Sequence, residues 1–553
     1  MKEKIGAVTL NYEYYDGMDY YSDGDSVEEK LLEICKDHRV GETLKESSSW
    51  PLLYHLSDIR GNIIEWYPME KDAKVLEIGS GCGAISGFLC KKAGRVVGIE
   101  LSKRRSLINA YRNYDCDNLE IIVGNFKKVR IEEKFDYITL IGVLEYAGSY
   151  VGGDNPYEQM LMQVKEYLKP NGRLIIAIEN KMGLKYLNGA KEDHVGKAFA
   201  GIEDYRGVSK VRTFSKPELC QILDHVGFCD YKFYYPMPDY KLPDSIYSDE
   251  YLPRTGDIRT WGQNYSDVRI ALYNEGIAFD QVCKDKMFDY FSNSFLVICN
   301  EKRNDIQYIH YTGTRNKEYQ TKTIIVDEKD VIKYYLKDCA REYDIFSEMR
   351  ERFETLNSEF LNVEYLEPTV EDGLLKYPYI NGDSLEVRLL RKLHDVDGLI
   401  MEFKEILKTY FQISDVYILY FTITDEFIEF FGEQDIKTQE KALQVTNIDM
   451  LLQNLIVMPD KVVCIDYEWI FDFPIPFEFV VYRCAEIFYR RYQMYLMHRY
   501  SMKEFLIKIG IKEENIGVYQ RMNRHFYDRI TGEEKLSNYR KANGMVELKI
   551  HDI

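Results

Sequence analysis

The feature that most constrains this chain is a regular alternation of buried strands and helices between Ala73 and Asn180. "AKVLEIG" reads as a strand, "AISGFLCKKA" as a helix, "RVVGIEL" as a strand and "KRRSLINAYRNY" as a helix. "LEIIVGNF" and "FDYITLIG" are strands, "YEQMLMQVKEYL" a helix and "GRLIIAIEN" a strand. Strands that read as unbroken apolar runs are covered on both faces, and strands joined through helices run parallel. The pattern therefore predicts an α/β fold with a doubly wound parallel sheet. Ligands of such sheets lie beyond the carboxyl ends of the strands.

"VLEIGSGCGAISGFL" puts Gly79, Gly81 and Gly83 between the first strand and its helix. Glycines there permit positive φ and let a ligand approach the backbone. With Ala84 the string fits G-x-G-x-x-A, and Glu100 ends the next strand, where an acid would bind a ribose. That much leaves a nicotinamide cofactor and S-adenosylmethionine (SAM) both open. Three features choose between them. Glu77 completes E-x-G-x-G-x-G, "VGNF" at 123–126 follows the third strand, and the pair "DYKFYYP" and "SFLVICN" closes the region. Together they resemble motif I, the adenine contact and the reversed strand hairpin at the sheet edge of class I SAM-dependent methyltransferases. The resemblance spans roughly residues 50–303 and implies a Rossmann-like methyltransferase domain. It implies that Glu77, Gly79, Gly81 and Gly83 hold the amino-acid part of SAM, that Glu100 takes the ribose, and that Asn125 and Phe126 meet the adenine. Asn125 stands where many members carry Asp, and its carbonyl can bond the adenine amino group.

"DNPY" at 154–157 is similar to a motif of amino-methylating DNA enzymes, but it does not end the fourth strand, which stops near Gly142. The acceptor should sit near "ENKMGLKYLNGAKEDHVGKAFAGIEDYRG", residues 179–207, which starts at a strand's carboxyl end. There His194 is a candidate general base for a hydroxyl acceptor. A loop histidine is as readily a surface residue. Lys181, Lys185 and Arg206 are candidates for binding an anionic acceptor.

The pattern changes after the polar stretch "EKRNDIQ". "KTIIVDEKDVIKYYL" reads as a hairpin, "AREYDIFSEMRERFETL" as a helix, "GLLKYPYI" as a strand and "FVVYRCAEIFYRRYQMYLMHRY" as helical. "VTNIDMLLQNLIVMPDKVVCIDYEWIF" sets Asp449, Asn454 and Asp466 in an apolar stretch. Asp-x-x-x-x-Asn is the spacing of a kinase catalytic loop. The run between Asn454 and Asp466 reads as two strands around a Pro-Asp turn, which would return Asp466 to Asn454. Lys333 in "VIKYYL" completes a pattern similar to the protein-kinase superfamily, and "IDYEW" is closest to aminoglycoside and choline phosphotransferases. The resemblance covers about 305–500. It implies that Asp449 is the catalytic base, that Asn454 and Asp466 hold Mg²⁺, and that Lys333 grips ATP phosphates, positioned by Glu342, with Glu348 as the alternative. "TNI" replaces the usual residues before the aspartate, and no glycine-rich loop precedes Lys333. A pseudokinase module is therefore the alternative.

The expected organisation is an N-terminal extension (1–50), the methyltransferase domain (51–303, with an insertion at about 241–285), and an α+β two-lobed kinase-like domain with a helical tail (304–553). The net charge of −19 argues against a nucleic-acid partner. The 11 cysteines show no metal or disulfide framework, and neither a leader nor an integral membrane segment is legible, so the cytoplasm is expected. The pairing of domains resembles the bifunctional enzymes that cap bacterial O-antigen chains. That resemblance implies a surface glycan, its precursor or another small molecule as acceptor, with SAM as cofactor, Mg²⁺ and ATP if the second domain is active, and glycan-assembly enzymes as partners. A non-catalytic scaffold is the reading from another class.

Overall fold

The computed structural model describes residues 1–19, 24–47, 49–207, 210–258, 271–301, 304–337, 339–436 and 440–531. It divides into two compact units between Tyr311 and Thr312. The expected boundary at 303 and the end of the expected tail, 532–553, lie outside the described residues.

The first unit is built on eleven described strands: β1 (Lys2–Ile5), β2 (Val8–Tyr14), β3 (Lys74–Ile78), β4 (Arg95–Glu100), β5 (Leu119–Gly124), β6 (Phe135–Ile141), β7 (Leu168–Glu179), β8 (Tyr231–Met237), β9 (Ser245–Ser248), β10 (Ser294–Cys299) and β11 (Ile306–Tyr311). Their order is β1-β2-β5-β4-β3-β6-β7-β10-β8-β9-β11. From β2 to β7 every neighbour is parallel. Val75, Leu76, Val97, Ile121, Ile138 and Leu140 are buried in this sheet. Burying each such side chain contributes about 1.5–3 kcal/mol, which fixes the sheet's two covered faces. Helices Ser86–Lys92, Lys103–Arg112 and Pro156–Tyr167 connect the strands. Gly79, Gly124, Gly142 and Glu179 thus gather at the strands' carboxyl ends.

Two expectations need correcting. The first residues are not a separate extension: β1 and β2 form a hairpin whose second strand pairs parallel with β5, Thr9 opposite Glu120. Val8 and Leu10 are buried in the core, apolar surface that the reading of these residues as an extension did not credit. Helix Asp25–Lys36 then packs on helix Lys103–Arg112, tied by Arg105 Nε to Glu28 Oε1 at 2.8 Å. The reversed strand, β10, is also not at an edge. It lies antiparallel between β7 and β8, and β9 and β11 extend the sheet beyond them. The insertion at 241–285 supplies β9 and helix Glu275–Lys284, and its residues 259–270 lie outside the described set.

The second unit opens with an antiparallel sheet of β12 (Thr321–Val326), β13 (Asp330–Tyr335), β15 (Thr369–Glu371) and β16 (Leu374–Pro378), in the order β12-β13-β16-β15. Thr323 faces Lys333 across the hairpin. Helix Ile345–Glu359 begins where the Asp344 carboxylate accepts from Phe346 N and Ser347 N. β14 (Val363–Tyr365) pairs parallel with Val462–Cys464, which pairs antiparallel with Leu455–Val457. The rest is mainly helical, including Val396–Tyr410, Phe477–Arg491 and Glu513–Ile530. Among the described residues no helix is long and apolar enough to cross a membrane.

Candidate functional site

The three glycines of the first turn all have positive φ, and each does a different job. A side chain on Gly79 would strike Val143, and one on Gly83 would strike Asn109 and Asn113. Those two keep the turn tight and the helix close. A Cβ on Gly81 would meet nothing nearer than Gly79 O at 4.0 Å. Gly81 therefore faces open space, a cavity of about 470 Å³ that Glu77, Glu100, Asn125 and Phe126 also line.

Glu77 ends up buried because β3 is central in the sheet. Its Oε2 accepts from Ser86 Oγ at 2.6 Å, and burial pushes its carboxyl up to about 8. Glu100 holds the turn itself. Its Oε2 accepts from Gly81 N at 2.8 Å and its Oε1 from Ser102 N at 2.9 Å. Burial raises it, against Arg105 and these amides. The carbonyl oxygen of Asn125 already accepts from Lys127 N at 2.9 Å, and its second lone pair remains for another donor. The Phe126 ring packs near Tyr167, their centroids 6.0 Å apart.

At the other wall, the His194 side chain is only 7% exposed rather than on the surface. Its Nδ1 lies 3.0 Å from the Tyr146 hydroxyl. Its Nε2 lies 3.3 Å from Glu179 Oε2 and 3.8 Å from Glu145 Oε1. Burial alone would lower its pKa, but Glu179 and then Glu145 outweigh it and push it up to about 9. With these partners His194 carries a proton at neutral pH, so the free general base expected from sequence is not what the fold provides. Glu145 goes the other way: burial pushes its carboxyl up to about 8.

The cations expected to clamp an anionic acceptor are engaged elsewhere. Lys185 is buried against Asp193 at 3.0 Å and Asp239 at 3.6 Å. Lys181 pairs with Glu218 at 2.6 Å and Asp204 at 3.4 Å. Arg206 is exposed and does not line the cavity. On this wall the cavity is lined by Lys241, 2.6 Å from Glu179 Oε1 and paired with Asp193, while Lys127 lines it beside Asn125 and Phe126. Glu145, Glu179 and Lys241 were missed in the sequence. Glu145 and Glu179 carry a signal that could have found them, since each follows or ends a strand at its carboxyl end.

In the second unit Lys333 is buried and pairs with both Asp466 and Glu468. Burial lowers its pKa, yet Asp466 and Glu468 together raise it. Glu468 also accepts from Arg315 Nη1 at 2.6 Å. Asn454 Nδ2 donates to Asp449 O at 3.1 Å and to Asp466 O at 3.3 Å. Asp466 sits at φ 56, a left-handed conformation that costs a non-glycine residue about 1–3 kcal/mol. The Asp449 carboxylate lies 3.2 Å from Arg483 Nη2, and burial pushes it up to about 6 despite that arginine. Glu342 is a correction. It precedes the helix, is exposed, and meets Arg529 at 3.1 Å, while Glu348 meets Arg352 at 3.4 Å. Glu468, two residues from Asp466, takes the place expected of Glu342.

A family model described as a methyltransferase domain matches residues 76–174. The chain is 27% identical over 145 residues to a ubiquinone biosynthesis O-methyltransferase of Coxiella burnetii, covering 24% of this chain and 56% of that protein. It is 37% identical over 79 residues to a probable ribosomal RNA small subunit methyltransferase A of Pyrococcus furiosus, 14% of this chain and 28% of that one. The chain thus spans little more than half the length of the first of these relatives. Phosphoethanolamine N-methyltransferase 1 of Haemonchus contortus, solved with phosphoethanolamine and S-adenosylhomocysteine, aligns at a TM-score of 0.28 and 10% identity over 51% of each chain. A possible histamine N-methyltransferase from Thermotoga maritima aligns at 0.27 and 15%, over 50% of this chain and 100% of that one. The match over 76–174, on a sheet that runs parallel from β2 to β7 and turns back at β10, identifies a class I S-adenosylmethionine-dependent methyltransferase domain.

Proposed function

We propose that this chain moves the methyl group of SAM to a hydroxyl of a small-molecule acceptor, a glycan or glycan precursor. The observation that carries the reading is one cavity shared by Gly81, Glu77, Glu100, Asn125 and Phe126 on one side and by His194 and Glu145 on the other. The glycine turn suits the sulfonium amino acid, Glu100 the ribose and Asn125 the adenine. An acceptor wall whose lysine is already matched by Glu179 and Asp193 suits an uncharged hydroxyl better than a phosphate, which would face those carboxylates. The reducing cytoplasm is its proposed place, beside the enzymes that assemble glycans. Titration calorimetry with SAM and with NAD tests the reading. SAM binding with no NAD binding is expected, and the reverse would end it.

The second unit is proposed to be kinase-like, with Lys333, Asp466 and Asn454 toward Mg²⁺·ATP and Asp449 toward an acceptor hydroxyl. A silent binding module is the second reading. It is favoured by Lys333 being fully matched by Asp466 and Glu468, and by "YTGTRNKEY" offering a single glycine where a phosphate loop would stand. Nucleotide binding with Mg²⁺ but no phosphoryl transfer would select the module.

A further inference from the structure

We infer that Glu145, Glu179 and His194 form a site for one divalent metal ion on the acceptor wall of the cavity. One ligand atom from each lies within 4.8 Å of the other two. Glu145 is wholly buried, lines the cavity, and neither of its carboxylate oxygens accepts a hydrogen bond. A buried carboxylate left in that state is costly unless a cation completes it.

The second partners of the three residues are arranged as a metal site requires. The Tyr146 hydroxyl can accept a hydrogen bond from Nδ1–H of His194, which in the neutral ring leaves the Nε2 lone pair facing Glu145 and Glu179. Glu179 divides its two oxygens. Oε1 goes to Lys241 at 2.6 Å, and Oε2 faces His194. Four carboxylates, Glu145, Glu179, Asp193 and Asp239, stand around two ammonium groups, Lys185 and Lys241. With the His194 ring neutral, as a metal ligand must be, the two carboxylate charges left over match one dication. Glu192 is occupied with the backbone amides of His194 and Val195.

Distances separate an ion from the other cation that could answer this charge, an acceptor ammonium. A metal about 2.1 Å from its ligands brings them about 3.0–3.4 Å apart. An ammonium with hydrogen bonds of about 2.8 Å holds its acceptors about 4.6 Å apart. The separations of the two carboxylates from His194 Nε2, 3.3 and 3.8 Å, lie nearer the metal value. Oxygen and imidazole ligands suit Mg²⁺, Mn²⁺ or Zn²⁺. The open side of the ion faces the cavity, where an acceptor oxygen would be its next ligand. The site's existence does not depend on the methyl-transfer reading; only its use does.

Manganese binding to the full-length, chelator-treated chain tests this, followed by electron paramagnetic resonance and calorimetry. The background carries Asp466→Asn, so that the second unit contributes no ion. One equivalent of Mn²⁺ is expected. Adding Glu145→Gln should weaken binding at least 100-fold, and adding Tyr146→Phe about tenfold. Absence of stoichiometric Mn²⁺ binding in the Asp466→Asn chain overturns the site. So does affinity unchanged by both additions. Cooperative unfolding of each variant is checked alongside, and if the Glu145 variant does not fold, the Tyr146 variant decides alone. SAM titrated into the same samples keeps the two readings apart, since SAM binding without Mn²⁺ binding removes the metal site and leaves the methyltransferase.

Discussion

In the first unit, Gly81 and Glu145 face a hollow of about 470 Å³, and the Glu145 oxygens accept no hydrogen bond. In the second, Lys333 is already matched by Asp466 and Glu468, and Glu468 by Arg315. Both sites are clusters of buried charge, but one is incomplete without a ligand and the other is nearly complete by itself. The difference teaches where a ligand's free energy goes. At the glycine turn it fills empty space beside carboxyl oxygens that have no hydrogen bond. At the lysine cluster a nucleotide and its metal must first displace ion pairs that the protein has formed internally.

The largest test of that contrast removes Lys333. Lys333→Met keeps the length and the apolar stem but leaves Glu468 with Arg315 alone and Asp466 without its ammonium. Breaking a buried pair this way costs about 3–5 kcal/mol, read as a loss of unfolding free energy in urea. A loss below about 1 kcal/mol would show that water already screens the cluster, and that it is as ligand-ready as the first site. Next comes Gly81→Val. The new side chain projects into open space, so the fold is retained apart from left-handed strain of about 1–3 kcal/mol. SAM affinity should fall more than about 100-fold, or about 2.7 kcal/mol, by calorimetry. Unchanged affinity would mean that the cofactor does not pass this turn.

A smaller effect follows from Glu77. Burial pushes its carboxyl up to about 8, so the free protein holds this proton at neutral pH while an unfolded chain does not. The ammonium of SAM needs the anion, and binding therefore expels the proton. SAM affinity should rise between pH 6 and 8, by at most about tenfold per unit. Above that it should fall as the cofactor's own α-amino group, near 7.7–8.0, loses its charge. Glu77→Gln should flatten the rise. A flat profile in the unmodified protein would free Glu77 from this role.

What was legible in the sequence divides along the same line. Strand–turn–helix alternation and the glycine spacing are local signals, and they placed Gly79, Gly81, Gly83, Glu77 and Glu100 at one strand edge. The hairpin of Val8 and Leu10 was also local, since "VTLNYEY" alternates, but its partner strand lies more than 100 residues away and only burial reveals it. The acceptor wall is harder still. Lys185 and Lys241 read alike as basic loop residues, and nothing near them in sequence says that Asp193 and Asp239 will claim the first or Glu179 the second. His194 shows the same limit. Its residue type suggested a base, but two carboxylates delivered from the ends of other elements hold its proton.

Glu342 gives the smallest and most pointed test. The kinase resemblance needs an acidic partner for Lys333 from the following helix, yet Asp344 caps that helix and leaves Glu342 ahead of it, exposed beside Arg529. Surface pairs of this kind contribute between nothing and about 1 kcal/mol. Glu342→Ala should therefore change unfolding free energy by less than about 0.5 kcal/mol and leave Mg²⁺·ATP affinity where it was. Glu468→Gln should lower stability markedly more, because it removes the buried negative charge between Lys333 and Arg315 and turns an NH2 donor toward one of them. The informative exception is a tenfold loss of nucleotide affinity in Glu342→Ala with stability unchanged. Glu342 would then reach Lys333 only when nucleotide is bound. The internal ion pairs would be a resting arrangement that the nucleotide exchanges for another, and the second site would be less complete than it stands here.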